Sequence, residues 1–215
     1  NMKKTVKLLL AVFLAAALFA GCGTKEDTTE NKKEEQREPI QDKDTEKEDT
    51  EGTKVEITIK DYGTIKISLD AEAAPLTVEN FLKLTKEGFY DGLTFHRIMN
   101  GFMMQGGDPE GNGTGGSDET IKGEFAENGV DNPLSHTRGA ISMARSQDYD
   151  SASSQFFIVH EDSTYLDGQY AAFGYVTEGM DVVDKICETV PAIDQNGTVL
   201  PENQPVIESM KIMEN

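Results

Sequence analysis

Residues 55–59 and 64–69 alternate apolar with polar side chains on either side of Asp61, Tyr62 and Gly63. A period of two puts one row of side chains on each face of a strand, so this pair reads as a hairpin with one buried face. Strand-like runs return at 94–99, 102–105, 140–144, 156–160, 171–176 and 206–212, which brings the count to eight. Helical spacing occurs in two places. After Pro75, Val78, Phe81, Leu82 and Thr85 share a helical face that Gly88 is suited to end, and later Met180, Val183, Ile186 and Cys187 share another. Many short strands with two helices predict a mainly β fold, a closed eight-stranded antiparallel barrel capped by two α-helices. The interior of such a barrel is filled by its own side chains. Any sizeable ligand must therefore lie in a groove on the outer wall.

The segment FHRIMNGFMMQGGDPEGNGTGG, residues 95–116, sets Arg97 beside Phe102, Met103, Met104 and Gln105 and then breaks into glycines. Arginine supplies a rigid, permanently charged fork of donors. Phenylalanine and methionine supply soft apolar surface, and glutamine donates and accepts at once. No nucleophile, acid pair or metal cluster accompanies them. Chemistry at such a site rests on placement and hydrogen bonding, and its ligand is neutral.

This segment is followed in order by ISMA (141–144), SQFF (154–157), LDG (166–168) and Phe173-Gly174. Together they resemble the cyclophilins, the barrel-shaped peptidyl-prolyl cis/trans isomerases, across roughly residues 54–213. The resemblance implies prolyl isomerisation, proline-containing polypeptides as partners, and no cofactor. It makes Arg97, Gln105 and Phe102 catalytic. A slot for the proline ring would be lined by Phe102, Met103, Phe157, Leu166 and Tyr170, while Gln105 and the backbone near Ala144 would hold the peptide. Gly113 with Ala144, Arg145 and Ser146 would border a neighbouring pocket for residues preceding proline. His96, Gln155 and Tyr165 complete the substrate-binding set that the resemblance implies, with His96 in a supporting hydrogen-bonding role. Tyr165 and Tyr170 stand where the best-known animal members have tryptophan and histidine, and the loop 145–153 is one residue longer. Both changes keep a ring.

An X-Pro amide rotates slowly because its partial double bond imposes a barrier of about 18 to 20 kcal/mol. Twisting the amide destroys the resonance and turns the proline nitrogen into an acceptor. A fixed cationic donor then binds the twisted form better than either planar form. Arg97 suits that part. A rival from another class is a module that binds proline peptides, or acts as a holding chaperone, with little turnover. A third is calcium: Asp108, Glu110, Asn112, Gly113 and Glu119 nearly follow the spacing of a calcium loop. Against it, that loop needs a helix on each side, and a strand-like run precedes this one. His136 and His160 lie far apart without ligand spacing, so no metal site is expected.

The termini add an address. Lys3, Lys4 and Lys7 precede an apolar run over 8–20 that is too short to span a bilayer comfortably, as in a secretory signal. The sequence Leu18-Phe19-Ala20-Gly21-Cys22 resembles the bacterial lipobox, with Phe19 where leucine is usual. That resemblance implies a signal over 1–21 and lipidation of Cys22; the alternative is an ordinary cleaved signal with an incidental cysteine. The tract 22–52 is dominated by charge, with twelve acidic and six basic residues, and reads as an extended, disordered tether. An acidic docking segment is its other reading. The isomerase-like domain then occupies 53–215. A net charge of −19 lacks the basic footprint of a nucleic-acid binder. The expectation is a monomer outside the cytoplasm that touches the membrane only through its lipid. Cys187, on a helical apolar face, reads as a small buried side chain.

Overall fold

The computed structural model describes residues 52–214. The signal, Cys22 and nearly all of the tether lie outside the described residues. Eight strands form within them: β1 (Lys54–Ile59), β2 (Gly63–Leu69), β3 (Thr94–Met99), β4 (Met103–Asp108), β5 (Ala140–Met143), β6 (Phe156–Val159), β7 (Ala172–Glu178) and β8 (Ile207–Ile212). Two α-helices, α1 (Pro75–Lys86) and α2 (Met180–Thr189), accompany them. The strands join in one antiparallel sheet in the order β3-β4-β6-β5-β7-β2-β1-β8.

That order corrects the expected closed barrel. The sheet is open, with β3 and β8 as its edges. Only one end of the seam is stitched, by the bridge of Thr94 with Val206 and by bonds from Phe95 N to Pro205 O (3.0 Å) and from Ile207 N to Leu93 O (2.8 Å). Beyond this point the outer edge of β3 is taken by the segment before β8: Ile98 N donates to Gly197 O and Val199 N to His96 O. A connecting turn thus occupies the ladder positions that closure would need. Strand counting registers alternation and says nothing about which edge groups meet.

β4 also runs further than its apolar residues suggest, through Gly106 and Gly107. A Cβ on Gly107 would lie 2.6 Å from Ser154 O, and its φ of 82° is one that side chains rarely adopt. Glycine there lets the backbone pass where another residue would block it.

The aromatic doublets show how the sheet makes two apolar regions at once. Successive side chains leave a strand on opposite faces. Met104, Phe156 and Ile158 enter the main core with Phe81, Tyr90, Phe95 and Phe173, whereas Met103, Phe157 and Val159 form a second cluster on the other face. Partly buried Phe102, Ala144, Leu166 and Tyr170 pack on that second cluster. It is the floor of the groove described below.

α1 begins at Pro75, whose missing N–H costs nothing at a helix start. Its free N–H groups find a carboxylate 48 residues away in sequence: Glu124 accepts from Leu76 N (3.0 Å), Thr77 N (2.8 Å) and Thr77 Oγ1 (2.7 Å). The buried face is Thr77, Val78, Asn80, Phe81, Leu84 and Thr85, so Leu82 stands at its margin rather than in it. Gly88 follows the helix at φ 70°, as expected of a terminating glycine. In α2 the buried residues are Val182, Val183, Ile186 and Cys187, with Met180 only partly covered. Burial pushes the Cys187 thiol up to about 12, so it is an inert apolar group.

Candidate active site

One rung of the sheet carries the site. Arg97 on β3 is paired with Gln105 on β4, Gln105 with Phe157 on β6, and Phe157 with Ser142 on β5. Register therefore brings together four residues separated by up to sixty positions, and the period of two points them to the same face of the sheet.

The guanidinium of Arg97 is held on all three nitrogens. Nε donates to Asn196 O (2.7 Å), Nη1 to Gln105 Oε1 (3.2 Å) and Nη2 to Met99 Sδ (3.3 Å), with the Phe102 ring 5.9 Å away. Burial pushes its pKa down, opposed by Tyr170, Tyr165 and Asp194. Gln105 Nε2 donates to Gln155 Oε1 (2.9 Å), and Gln155 Nε2 to Gly115 O (2.7 Å) and Gly113 O (3.2 Å). The chain starts at a group that only donates and ends at carbonyls that only accept. Both amides are thereby oriented without ambiguity.

These residues open on a groove of about 560 Å³. Its apolar floor and walls are Phe102, Met103, Phe157, Leu166 and Tyr170, and its polar edge holds Arg97 and Gln105. His96, Gly113, Ala144 and Arg145 also line it. A second, polar pocket of about 310 Å³ shares Gln105, Gly113, Ala144 and Arg145 with the groove and adds Ser146 and Gln155. The structure thus gathers every catalytic and substrate-binding residue named from the sequence except Tyr165, which lines neither space. That residue is 65 % exposed, with its ring 6.1 Å from that of Phe102 at the rim.

Two expected site residues sit differently from a direct peptide contact. Arg145 lies over the rings of Phe125 (5.1 Å), Tyr149 (4.8 Å) and Tyr170 (4.6 Å), and gives its N–H groups to Gln169 O and Ser146 O. It is a strut between groove and pocket. His96 is buried, and neither ring nitrogen has a hydrogen-bond partner among the described residues. The supporting hydrogen bond expected of it is therefore not made there. Burial lowers its pKa, Asp108 opposes that and Arg97 adds to it.

The glycine-rich stretch after β4 is organised by Asp108, whose buried carboxylate accepts the N–H groups of Glu110 (2.8 Å), Asn112 (3.1 Å) and Gly113 (2.6 Å). Burial pushes this carboxyl up, but the N–H groups outweigh burial and hold it below the usual range. The loop turns inward to satisfy its own anion. A calcium loop does the reverse, and here a strand leads in where that loop needs a helix.

Sequence reasoning missed two groups. The first is a wall of the groove formed by Asn196, Thr198, Val199, Leu200, Pro201 and Gln204, in a segment that carries no motif. The second supports the floor. His136 bonds through Nδ1 to Asp167 Oδ1 (2.8 Å) and through Nε2 to Ser142 Oγ (2.9 Å), while its ring stacks on Phe157 at 6.0 Å. Ser142 is fully buried, so the relay cannot present a nucleophile to either space. It ties the Leu166-Asp167 turn to the strand beneath Phe157. The Asp of the LDG motif was its one visible trace.

Residues 54–212 match the family of cyclophilin type peptidyl-prolyl cis-trans isomerases. The chain is 46 % identical over 144 residues to peptidyl-prolyl cis-trans isomerase B of Bacillus subtilis, covering 67 % of this chain and 92 % of that protein. It is 48 % identical over 132 residues to a peptidyl-prolyl cis-trans isomerase of Helicobacter pylori, covering 60 % and 78 %. Among solved structures, a cyclophilin type isomerase of Cryptosporidium parvum superposes with a TM-score of 0.67 at 30 % identity over 76 % of this chain and 98 % of that one. The same protein in the presence of the dipeptide Ala-Pro superposes with a TM-score of 0.66 at 30 % identity, covering 75 % and 99 %.

Proposed function

The chain belongs to the cyclophilin-type peptidyl-prolyl cis-trans isomerases and is such an enzyme; from that premise we propose that Arg97 drives the reaction by donating to the proline nitrogen of a twisted X-Pro amide. The observation that carries this reading is the clamped guanidinium. Three of its five N–H groups are committed to Asn196, Gln105 and Met99, which leaves one on each terminal nitrogen for a ligand in the groove. The donor is placed before the substrate arrives, so no reorganisation is needed as the acceptor develops.

The ring of the proline lies on Phe157 and Met103 between Phe102 and Leu166, and the flanking peptide meets Gln105 and the backbone at Ala144. Residues ahead of the proline enter the polar pocket beside Gly113 and Ser146. Burial keeps His96 neutral at pH 7, and it takes no proton, because rotation about the amide makes and breaks no bond to hydrogen. The test is cis-to-trans exchange of a proline tetrapeptide, read by NMR in H₂O and in D₂O. Equal rates are expected; a several-fold slowing in D₂O would show a proton in flight and defeat the reading.

The physiological setting rests on the sequence alone. We propose that residues 1–21 export the chain, that Cys22 carries the lipid, and that the charged tether 22–52 holds the domain off the membrane. Its substrates are then secreted or envelope proteins in the course of folding, met by a monomer outside the cytoplasm.

A further inference from the structure

On the edge of β3 away from Gln105, Arg97 is gripped by a turn that carries none of the sequence motifs. Thr198 bridges Arg97 across the backbone, and Gly197 sits so close to β3 that a Cβ on it would lie 2.4 Å from Met99 Cγ and 2.6 Å from Ile98 O. One side chain adds to the backbone bonds of this turn. Asp194 Oδ1 accepts from Asn196 N (2.9 Å) and Thr198 N (3.0 Å), flanking the very residue whose carbonyl receives Arg97 Nε at 2.7 Å.

We propose that Asp194 is a positioning residue for Arg97: by fixing the Asn196 carbonyl it sets the plane of the guanidinium that faces the proline. The inference rests on the catalytic reading of Arg97 given above. Bonds at Nε and Nη1 together stop the flat guanidinium from rotating, and each comes from a different element, Nε from the turn and Nη1 from β4. With the turn loosened, the guanidinium keeps only its bond to Gln105 and the weak one to the Met99 sulfur, and it can pivot about them. The donor is then present but misaimed, which lowers turnover more than it lowers binding. Two backbone bonds, Ile193 N to Thr198 O (2.8 Å) and Gly197 N to Asp194 O (3.3 Å), still close the turn when the carboxylate is removed, so the fold survives its loss.

The experiment compares Asp194→Ala with Asp194→Asn, each in the unmodified chain and with Arg97→Ala. Asparagine keeps an oxygen that accepts both N–H groups, and the guanidinium stays charged without the carboxylate. Asp194→Ala is expected to lower kcat about tenfold with little change in KM, and Asp194→Asn to stay within about twofold. In the Arg97→Ala background neither should matter further. The Arg97 Nε–H resonance should exchange slowly in the unmodified and Asp194→Asn proteins and rapidly in Asp194→Ala. Normal kcat in Asp194→Ala, an equal loss in Asp194→Asn, or a loss that persists without Arg97 each overturns the proposal. Near-normal turnover in Arg97→Ala alone would instead overturn the reading beneath it.

Discussion

Arg97 and Gln105 face each other across β3 and β4, and the guanidinium Nη1 donates to Gln105 Oε1 at 3.2 Å. Gln105 cannot turn to meet Arg97 differently, because its amide nitrogen is bound to Gln155 and, through it, to the glycine-rich loop. The Arg97 guanidinium is therefore braced by the same chain that shapes the neighbouring pocket.

Removing that donor gives the most direct prediction. Arg97→Ala should lose on the order of a hundredfold in kcat/KM, about 3 kcal/mol, as for one preorganised donor elsewhere. Circular dichroism should show an unchanged fold. Arg97→Lys should fail almost as badly, since an ammonium cannot bond to Asn196 and Gln105 as a planar fork does. Near-normal turnover in either variant, by the protease-coupled assay, rules the mechanism out.

The slot and its rim should separate cleanly. Leu166 lines the groove, whereas Tyr165 beside it is 65 % exposed and lines neither the groove nor the polar pocket. Tyr165→Ala is expected to change kcat/KM by less than about threefold, in line with a surface substitution. Leu166→Ala, which strips apolar contact from the proline, should raise KM by about tenfold. Equal effects at the two positions would mean that Tyr165 folds over the bound peptide.

Stability should fall with acid in two stages. His96 and His136 are both held below the ordinary histidine value, first by burial. A histidine that is harder to protonate folded than unfolded contributes stability above its unfolded pKa of about 6.5 and loses it as pH drops through its folded value. Asp108 and Asp167 are held below the carboxylate range, so their contribution goes only below about pH 4. Urea midpoints should decline between pH 6.5 and 5, and His136→Asn should make that limb shallower, with His96 supplying what remains. A flat profile down to pH 4.5 contradicts the buried neutral histidines.

Glu124 lines neither the groove nor the polar pocket and offers a control. Glu124→Ala leaves the first N–H groups of α1 buried without an acceptor and should cost about 2 to 3 kcal/mol. Activity per folded molecule should be unchanged. A loss of kcat at full stability would instead tie α1 to the groove.

The address can be tested without any structure. Cys22→Ser should release the protein from the membrane fraction or block its processing, because a single acyl chain anchors marginally and several anchor firmly. An unmodified mature terminus elsewhere, found by mass spectrometry, defeats the lipid assignment and leaves the isomerase untouched.

The sequence determined what is local or periodic. Alternation located β1 and β2, strand-like apolar runs located the other six strands, and helical spacing located α1 and α2, with Leu82 and Met180 placed more deeply than they lie. Arg97, Phe102, Met103 and Gln105 were legible because they crowd into a single hairpin, and Phe157 and Leu166 because they stand in recognisable motifs. Tertiary structure decided the rest. Whether β3 meets β8 depends on which edge groups reach each other, and the turn around Gly197 reached β3 along most of that seam. The Asn196 carbonyl meets Arg97 across 99 positions of chain, and the relay of Asp167, His136 and Ser142 joins side chains 31 and 6 positions apart. A hydrogen bond of that kind is fixed by where two segments come to rest, and residue identity in either segment alone carries no record of it.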